Sequence, residues 1–404
     1  MVDVAAQHAR VLSGMRPTGR LHLGHYHGVL KNWVELQHEY QCFFFVADWH
    51  ALTTHYDDPS MVPQSTWNMV IDWLAAGVDP KKATVFVQSH VAEHAELHLL
   101  LSMITPLGWL ERVPTYKDQQ EKLKEKDLST YGFLGYPLLQ AADILVYRAG
   151  RVPVGEDQVV HVELTREVAR RFNHIYGREP DFEEKAEQAV KKMGKKNAKA
   201  FNGLRRTYQE QGDSEALAAA RALLESQQNI GAADRDRLFG YLEGGGRVIL
   251  PEPQPLLTKA SKMPGLDGQK MSKSYDNTIP LDASPEAVEK QMRTMPTDPA
   301  RVRRNDPGNP DICPVWQFHE VYSDENTRDW VQQGCRSAGI GCIECKQPVI
   351  DAVLEELRPM QQRGHEYAAQ PDLVREIIDE GCERARVVAR ETMAEVRQAM
   401  SLSY

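Results

Sequence analysis

The chain has 404 residues, of which 26% are charged, and its formal net charge is −9. This length allows two or three domains with a sizeable core, and the composition is that of a soluble globular protein. A general basic coat is excluded, so any contact with nucleic acid has to be local.

Several sequence features bear on location and partners. No run approaches the ~20 apolar residues of a membrane span, and we expect no signal peptide, no membrane partner and a cytoplasmic location. The six cysteines are not spread like a secreted disulfide framework. Basic clusters occur at 191–196 and at 301–304, and such runs are solvated helix faces more often than RNA contacts.

Alternating strand and helix patterns occupy the first half of the chain. Buried-strand runs at 10–14, 42–48 and 84–88 alternate with helical patterns at 26–36 and 64–75. This order predicts an α/β fold, a Rossmann-like doubly wound parallel sheet that binds ligands at the carboxyl ends of its strands. The loops that follow these three strands should therefore face the site.

Composition changes divide the rest of the chain. We expect a catalytic domain made of 1–177 and 247–280, which includes a mostly helical connective region at 107–163. Residues 178–246 are rich in helix formers and charges, which indicates a helical insertion. Residues 281–404 predict an all-helical domain.

Two short segments carry the first chemical signal. The turn Thr18–His25 lies between the first strand and a helix, where unpaired backbone N–H groups and the helix dipole favour phosphate. The segment Lys270–Ser274 is a cationic loop suited to closing over a polyphosphate. Taken singly, the first could be a buried histidine pair and the second an ordinary exposed loop.

When a substrate carboxylate attacks the α-phosphorus of a nucleoside triphosphate and pyrophosphate leaves in line, the step needs donors and cations rather than a protein nucleophile. The segments supply such groups in His22, His25, Lys270, Ser272, Lys273 and Ser274, while Gly24 lets a nucleotide approach the backbone. In this order, the two segments resemble the HIGH and KMSKS signatures of class I aminoacyl-tRNA synthetases.

Two further segments narrow the resemblance. Val152–Gln158 contains a Gly followed by two acids, which suits the hydroxyls of a ribose, although a polar turn that caps the next helix has the same pattern. Upstream, Gln140 and Asp143 lie three apart on one face of an apolar helix. A buried carboxylate needs a donor, and an amino-acid side chain with an N–H or O–H would supply one.

Together these segments resemble bacterial tryptophanyl-tRNA synthetases over most of 8–176 and 255–400. The resemblance implies that a homodimer activates L-tryptophan with ATP and transfers it to tRNA(Trp). It also implies that 281–404 is a helical tRNA/anticodon-binding domain, which contains the four clustered cysteines described below. It implies that Asp143 accepts the indole N–H. The other tryptophan-binding residues it implies are Gly14, His50, Tyr136, Gln140, Val152, Val154 and Gln158. The ATP-binding residues it implies, besides the two signatures, are Arg16, Pro17, Thr18, Gly155, Glu156, Asp157, Met263 and Met271.

Departures and alternatives remain. Many family members have Gln in place of Arg16 and Met in place of Gln140. Tyrosyl-tRNA synthetases are the nearest alternative, but their archaeal-type members usually have a Tyr where this chain has Leu12. A small-metabolite nucleotidylyltransferase would not need the long helical C-terminal half. A catalytically idle RNA-binding paralogue would be expected to lose a lysine or histidine from the signatures.

Four of the six cysteines lie within one short stretch: Cys313, Cys335, Cys342 and Cys345. Four thiolates with a C-x2-C pair can complete a zinc site or a [4Fe–4S] cluster, whereas scattered core cysteines are the alternative. The family resemblance favours [4Fe–4S], although the first gap is one residue shorter than the family pattern. We expect Mg²⁺ to accompany ATP, since two lysines alone leave a triphosphate under-neutralised.

Overall fold

The computed structural model describes residues 10–113, 129–155, 158–178, 181–211, 213–257 and 263–403, and of Ser274 the backbone only. Its strands are β1 (Arg10–Met15), β2 (Gln41–Val46), β3 (Thr84–Val87), β4 (Arg151–Val154) and β5 (Gln254–Leu257). The first helical run, α1, joins Leu23–His25, the π-helical turn Tyr26–Leu30 and Lys31–Leu36.

The remaining helices in the described part of the chain are α2 (Asp48–His55), α3 (Val62–Ala76), α4 (Glu93–Ser102), α5 (Leu107–Glu111), α6 (Tyr131–Val146), α7 (Val159–Tyr176), α8 (Phe182–Lys192), α9 (Lys195–Gln211), α10 (Ser214–Glu225), α11 (Ala232–Leu242), α12 (Pro285–Thr294), α13 (Pro314–Tyr322), α14 (Glu325–Arg336), α15 (Cys342–Ala368) and α16 (Pro371–Ala399). None of these described helices is long and apolar enough to cross a membrane.

The five strands form one sheet in the order β3-β2-β1-β4-β5, and every neighbouring pair is parallel. This confirms the predicted doubly wound fold. Helices cover both faces, which explains why β2 and β3 are near-continuous apolar runs rather than alternating ones. The strand order reverses between β1 and β4, so a ligand cleft is expected beyond the carboxyl ends of these two strands.

The C-terminal helices pack directly on the sheet. α16 crosses β3 so closely that a Cβ on Gly381 would lie 1.8 Å from the carbonyl oxygen of Val85. α15 packs along α3, and its buried residues join the same hydrophobic cluster as the strands. The helices after Pro280 therefore share one core with the parallel sheet.

Helices α8–α11 enclose a second, smaller core. Its fully buried members include Ala189, Phe201, Ala220, Leu224 and Leu238. This core contains no strand residue, so these four helices are held together by their own apolar faces.

Candidate active site

The strand end at the switch point is kept open by a glycine. Gly14 lies opposite Phe45 across the β1–β2 pair, and a Cβ on Gly14 would lie 2.5 Å from the Phe45 ring. Only glycine fits there without displacing the ring. Gly14 itself is exposed, which leaves the carboxyl end of β1 accessible to a ligand.

The two signature segments, far apart in sequence, are in direct contact. The Gly24 N–H points at the Sδ of Met271, with 3.2 Å between the two atoms. The ammonium of Lys273 donates to the carbonyl oxygen of Thr18 at 2.8 Å. Met271 is buried and its N–H donates to the carbonyl of buried Met263 at 3.3 Å. The fold thus brings the segment Lys270–Ser274, which we call the lysine loop, into contact with the turn Thr18–His25, which we call the histidine turn.

The two histidines of the turn are packed against each other and are neutral at pH 7. Their ring centroids are 3.8 Å apart, and His25 Nδ1 accepts the His22 backbone N–H at 3.3 Å. Burial lowers the pKa of His22 to about 4 and that of His25 to about 3, and the positive charge of Lys273 adds to both shifts. In a neutral His25 ring the proton is then on Nε2, which can donate to a phosphate oxygen.

Gly24 leaves room for the His22 ring and for Met271. A Cβ at this position would lie 2.9 Å from the His22 ring and 3.3 Å from the Cβ of Met271. Any larger residue would displace the His22 ring and press on Met271.

The ammonium group of Lys273 lies close to the histidine turn. Gly19 adopts a φ of +95°, a conformation that favours glycine, and a Cβ there would lie 3.6 Å from Lys273 Nζ. Burial lowers the pKa of Lys273, and the carboxylate of Asp72 on α3 opposes that shift. Lys270, by contrast, is exposed. Lys273 therefore contacts the histidine turn, whereas Lys270 faces solvent.

A residue that the sequence reasoning missed holds the loop in shape. Asn277 is buried, and its side-chain oxygen accepts the Ser272 N–H at 2.8 Å. Its amide group donates to the Asp267 carboxylate at 2.7 Å and to the Lys270 carbonyl at 3.2 Å. A polar residue just after the signature was the only sequence signal for this role.

Helix α6 and the residue that follows it carry four polar side chains at helical spacing, three of them predicted site residues. Tyr136, Gln140, Asp143 and Tyr147 are spaced four, three and four residues apart, which places them on one face. Asp143 is almost completely buried. Thr130 caps the helix by accepting the Phe133 N–H.

Asp143 has three donors within the protein, so its burial does not by itself require a donor from a substrate. Its Oδ2 accepts from His50 Nε2 at 2.8 Å, and its Oδ1 accepts from Gln88 Nε2 at 2.8 Å and from His94 Nδ1 at 2.6 Å. Burial alone would raise the pKa of Asp143, but the two histidines hold it well below its usual range.

The tautomer of His94 follows from its second partner. Its Nε2 lies 2.7 Å from the Tyr147 hydroxyl, which can donate when Nδ1 donates to Asp143. A carboxylate accepts about four hydrogen bonds, so one acceptor position remains, on Oδ2. The sequence reasoning included His50 but missed Gln88 and His94. Gln88 directly follows β3, in a loop predicted to face the site.

The structure also describes four other residues that were predicted to bind a tryptophan substrate. Val152 and Val154 are buried in β4. The ring of Tyr136 lies 5.9 Å from that of buried His161, and its hydroxyl interacts electrostatically with the exposed Arg16. Gln140 on α6 is half-buried.

The predicted ribose segment is described in part. The N–H of Gln158 donates to the carbonyl of Gly155 at 3.0 Å, just beyond the carboxyl end of β4. Glu156 and Asp157 lie outside the described residues. Pro17 is buried beside the histidine turn.

The four clustered cysteines line one small cavity of about 20 Å³ together with Arg301. Nothing in the described part of the chain groups three or more His, Cys, Asp or Glu side chains so as to hold a metal ion. The convergence of the four thiols is therefore found, whereas a metal centre is not established.

Two opposing effects set the electrostatics of this cavity: burial disfavours thiolates, and nearby cations favour them. Burial, together with a smaller effect of the other three thiols, raises the pKa of Cys345 to about 12. Two buried cations, Arg301 and Lys346, lie beside the thiols, and Arg301 Nη1 is 3.7 Å from Cys335 Sγ. The buried Nε of Arg301 has no hydrogen-bond partner among the described residues. Thiolates would therefore find compensating positive charge here.

Comparisons with known proteins agree with this geometry. The family model "tRNA synthetases class I (W and Y)" matches residues 5–200 and 218–358. The tryptophan–tRNA ligase of Ralstonia nicotianae is 71% identical over 98% of this chain and 99% of its own length. That of Thermotoga maritima is 45% identical over 98% of this chain and 100% of its own length.

A solved structure is similar over nearly the whole chain. The tryptophanyl-tRNA synthetase of Campylobacter jejuni, determined with ADP and tryptophan, is 28% identical with a TM-score of 0.71. The match covers 97% of this chain and 100% of the other. The chain belongs to the class I tRNA synthetases of the tryptophan and tyrosine group.

Proposed function

We propose that the chain activates L-tryptophan with ATP and transfers it to tRNA(Trp). The observation that carries this proposal is the contact between the histidine turn and the lysine loop at the switch point of the sheet. The relatives at 71% and 45% identity support tryptophan over the tyrosyl alternative.

In the first step, a carboxylate oxygen of tryptophan attacks the α-phosphorus of ATP, and pyrophosphate leaves with the electrons of the broken P–O bond. The neutral rings of His22 and His25 donate N–H groups to phosphate oxygens at the start of α1. Lys273 and Lys270 stabilise the negative charge that develops on the leaving pyrophosphate. Mg²⁺ bound to ATP would neutralise part of the remaining charge.

The amino-acid pocket is assigned to the face of α6 and the end of β4. Asp143 offers its remaining Oδ2 acceptor position to the indole N–H, and its three protein donors fix the carboxylate in place. Val152 and Val154 supply apolar surface for the ring. Tyr136 and Gln158 hold the substrate ammonium.

The remaining assignments complete the nucleotide site. Gly155, Glu156 and Asp157 contact the ribose, where carboxylates accept from hydroxyls. Ser272 and Ser274 add hydroxyl donors. The residues assigned to the border of the phosphates and the amino acid are Gly14, Arg16, Pro17, Thr18, His50, Gln140, Met263 and Met271.

Aminoacylation with defined pairs tests the proposal. Purified protein is incubated with ATP, Mg²⁺ and either labelled tryptophan with tRNA(Trp) or labelled tyrosine with tRNA(Tyr). The proposal expects charging of the first pair only, and a Lys273→Ala variant provides the inactive control. Charging of tRNA(Tyr) with tyrosine would transfer the function to the alternative.

We also propose that the four cysteines hold a [4Fe–4S] cluster in a structural role. The thiols surround one cavity, and Arg301 and Lys346 offset the negative charge that four thiolates and a cluster would bring. The cysteine sulfur atoms that bind a [4Fe–4S] cluster lie farther apart than those that bind a single Zn²⁺ ion, because the iron and sulfide atoms of the cluster separate them. Zn²⁺ is the alternative, since four thiolates suit both.

Metal analysis of anaerobically purified protein tests this assignment. About four iron per chain in a brown protein, lost in a Cys342→Ser variant, is the expected result. One zinc per chain would make this a zinc site. Neither metal, with a Cys342→Ser variant as stable as the parent, would leave four buried thiols.

An exposed apolar patch supports the proposed homodimer. Leu99 lies in the last turn of α4, Met103 directly follows that helix, and Leu107 and Tyr131 lie on α5 and α6; these four residues are 55–67% exposed. Exposed apolar side chains on helices that pack against one another favour burial against a second copy. Light scattering should give twice the chain mass, and a Met103→Glu variant should dissociate. All six cysteines are unpaired, which suits a reducing cytoplasm.

We further assign residues 1–177 and 247–280 to catalysis, with 107–163 as the connective region. Residues 281–404 form the tRNA-binding side, and 178–246 form an insertion.

A further inference from the structure

The insertion segregates its charges in sequence. Between residues 188 and 209 it has seven cations and no Asp or Glu, in a chain whose net charge is −9. These cations are Lys191, Lys192, Lys195, Lys196, Lys199, Arg205 and Arg206. Such a local excess of one sign requires a structural explanation, because intrahelical ion pairs would stabilise the helices better.

The structure leaves most of these charges uncompensated. Lys192 pairs with Asp234 at 2.5 Å, and the Arg205 guanidinium lies over the Tyr241 ring. The other five are exposed, and within the described ranges none has an ion-pair or hydrogen-bond partner. We call these five the basic face: Lys191, Lys195, Lys196, Lys199 and Arg206.

The placement of the lysines adds to the positive potential. Lys191 is in the last turn of α8, where a cation suits the helix dipole, but Lys195 and Lys196 are in the first turn of α9, where it does not. Gly194, at a φ of +81°, makes the tight turn that brings these two helix ends together. No acid occupies the first turn of α9 to offset this repulsion.

The stripe along α9 is sterically open. Lys195, Lys199, Asn202 and Arg206 recur at helical spacing on one exposed face, which spans about 16 Å at 1.5 Å per residue. Next to Asn202, a Cβ on Gly203 would meet nothing within 4 Å. The separate core of α8–α11 holds this stripe on a folded support.

We propose that the basic face binds the phosphate backbone of the tRNA substrate. This inference rests on the proposed function, which supplies a polyanionic partner. Regularly spaced, unpaired cations on a rigid helix favour a phosphate backbone because neutralised phosphates release counterions. The contact is independent of base sequence, since a backbone carries no base information.

The position of the insertion separates this contact from adenylation. Its two ends are joined where the Arg247 N–H donates to the carbonyl of Gly177 at 2.7 Å, just after α7 and before β5. These segments lie at the amino ends of β4 and β5, opposite the edge that carries the histidine turn. Removing the basic face should therefore weaken tRNA binding and leave amino-acid activation unchanged.

The test uses a four-charge variant of the full chain, with Lys195→Gln, Lys196→Gln, Lys199→Gln and Arg206→Gln. Binding of tRNA(Trp) is measured at several salt concentrations, together with tryptophan-dependent ATP–pyrophosphate exchange. We expect Kd to rise about tenfold or more at low salt, and the slope of log Kd against log[salt] to fall by about 0.7–0.9 for each phosphate that is no longer neutralised. The exchange rate should stay at the parent value.

A charge-retaining variant is the matched control: Lys195→Arg, Lys196→Arg, Lys199→Arg and Arg206→Lys should bind like the parent. An unchanged Kd and salt slope in the four-Gln variant would overturn the proposal, as would an equal loss in the control. A parent protein without tryptophan-dependent exchange would instead refute the proposed function. Equal weakening toward a non-cognate tRNA supports a backbone contact.

Discussion

Replacing Asp143 by Asn perturbs the substrate acceptor while keeping the shape of the side chain. In the parent, Oδ1 accepts from Gln88 and His94, and Oδ2 accepts from His50. The amide oxygen of the variant can keep the two Oδ1 bonds. The amide nitrogen then faces His50, which can accept through its other neutral tautomer. The internal network therefore survives, but the indole N–H meets a donor.

The expected magnitude follows from the loss of this one hydrogen bond. A buried donor left unpaired costs about 1–3 kcal/mol, which corresponds to roughly a 5–150-fold loss. We expect kcat/KM for tryptophan to fall within that range. An Asp143→Ala variant, by contrast, leaves the three protein donors unpaired as well. Because each costs about 1–3 kcal/mol, it should also unfold at a clearly lower temperature.

The assay is ATP–pyrophosphate exchange at varied tryptophan concentration, with thermal unfolding measured in parallel. The matched control is Asp372→Asn, which removes an exposed carboxylate from the first turn of α16 and should change neither quantity. An Asp143→Asn enzyme that folds normally and keeps the parent kcat/KM for tryptophan would refute the assigned contact.

Three further outcomes are expected at the nucleotide site. Lys273→Ala and Lys270→Ala should each lower kcat for adenylation far more than they raise KM for ATP in steady-state assays, and an effect on KM alone would mark a uniform binding role. Asn277→Ala should mainly raise KM for ATP, because the loop loses its internal clamp while its lysines remain; an unchanged KM would remove that role. The folded pKa values of His22 and His25, about 4 and about 3, lie below the ordinary 6.5. The unfolded chain therefore binds more protons than the folded chain, and the free energy of unfolding falls as pH drops from about 6.5 to 4. A His22→Asn/His25→Asn variant should lose less of its unfolding free energy over this pH range, as measured by denaturant titration.

Sequence patterns predicted the sheet because buried parallel strands are continuous apolar runs, as in 42–48 and 84–88. The histidine turn and the lysine loop were recognisable because each is local in sequence. The donors around Asp143 were not, since Gln88 and His94 come from two other elements and meet the carboxylate only after packing. A residue type alone does not reveal such a tertiary partner.

In the insertion, too, the helices could be predicted from the sequence, whereas the surface that they expose could not. Its helices were predicted from composition, since helix formers and charges dominate 178–246. The exposure of its basic face depends on which side of each helix meets Phe201 and Leu238 in the second core. That choice is made by packing among α8–α11.

Amino-acid-dependent ATP–pyrophosphate exchange, run with each of the twenty amino acids, tests the central claim most directly. The assay reports adenylation without tRNA, and therefore the pocket and the two signatures alone. The account predicts robust exchange with tryptophan and only background exchange with the other nineteen, tyrosine included. Strong exchange with tyrosine, or none with tryptophan, would contradict it.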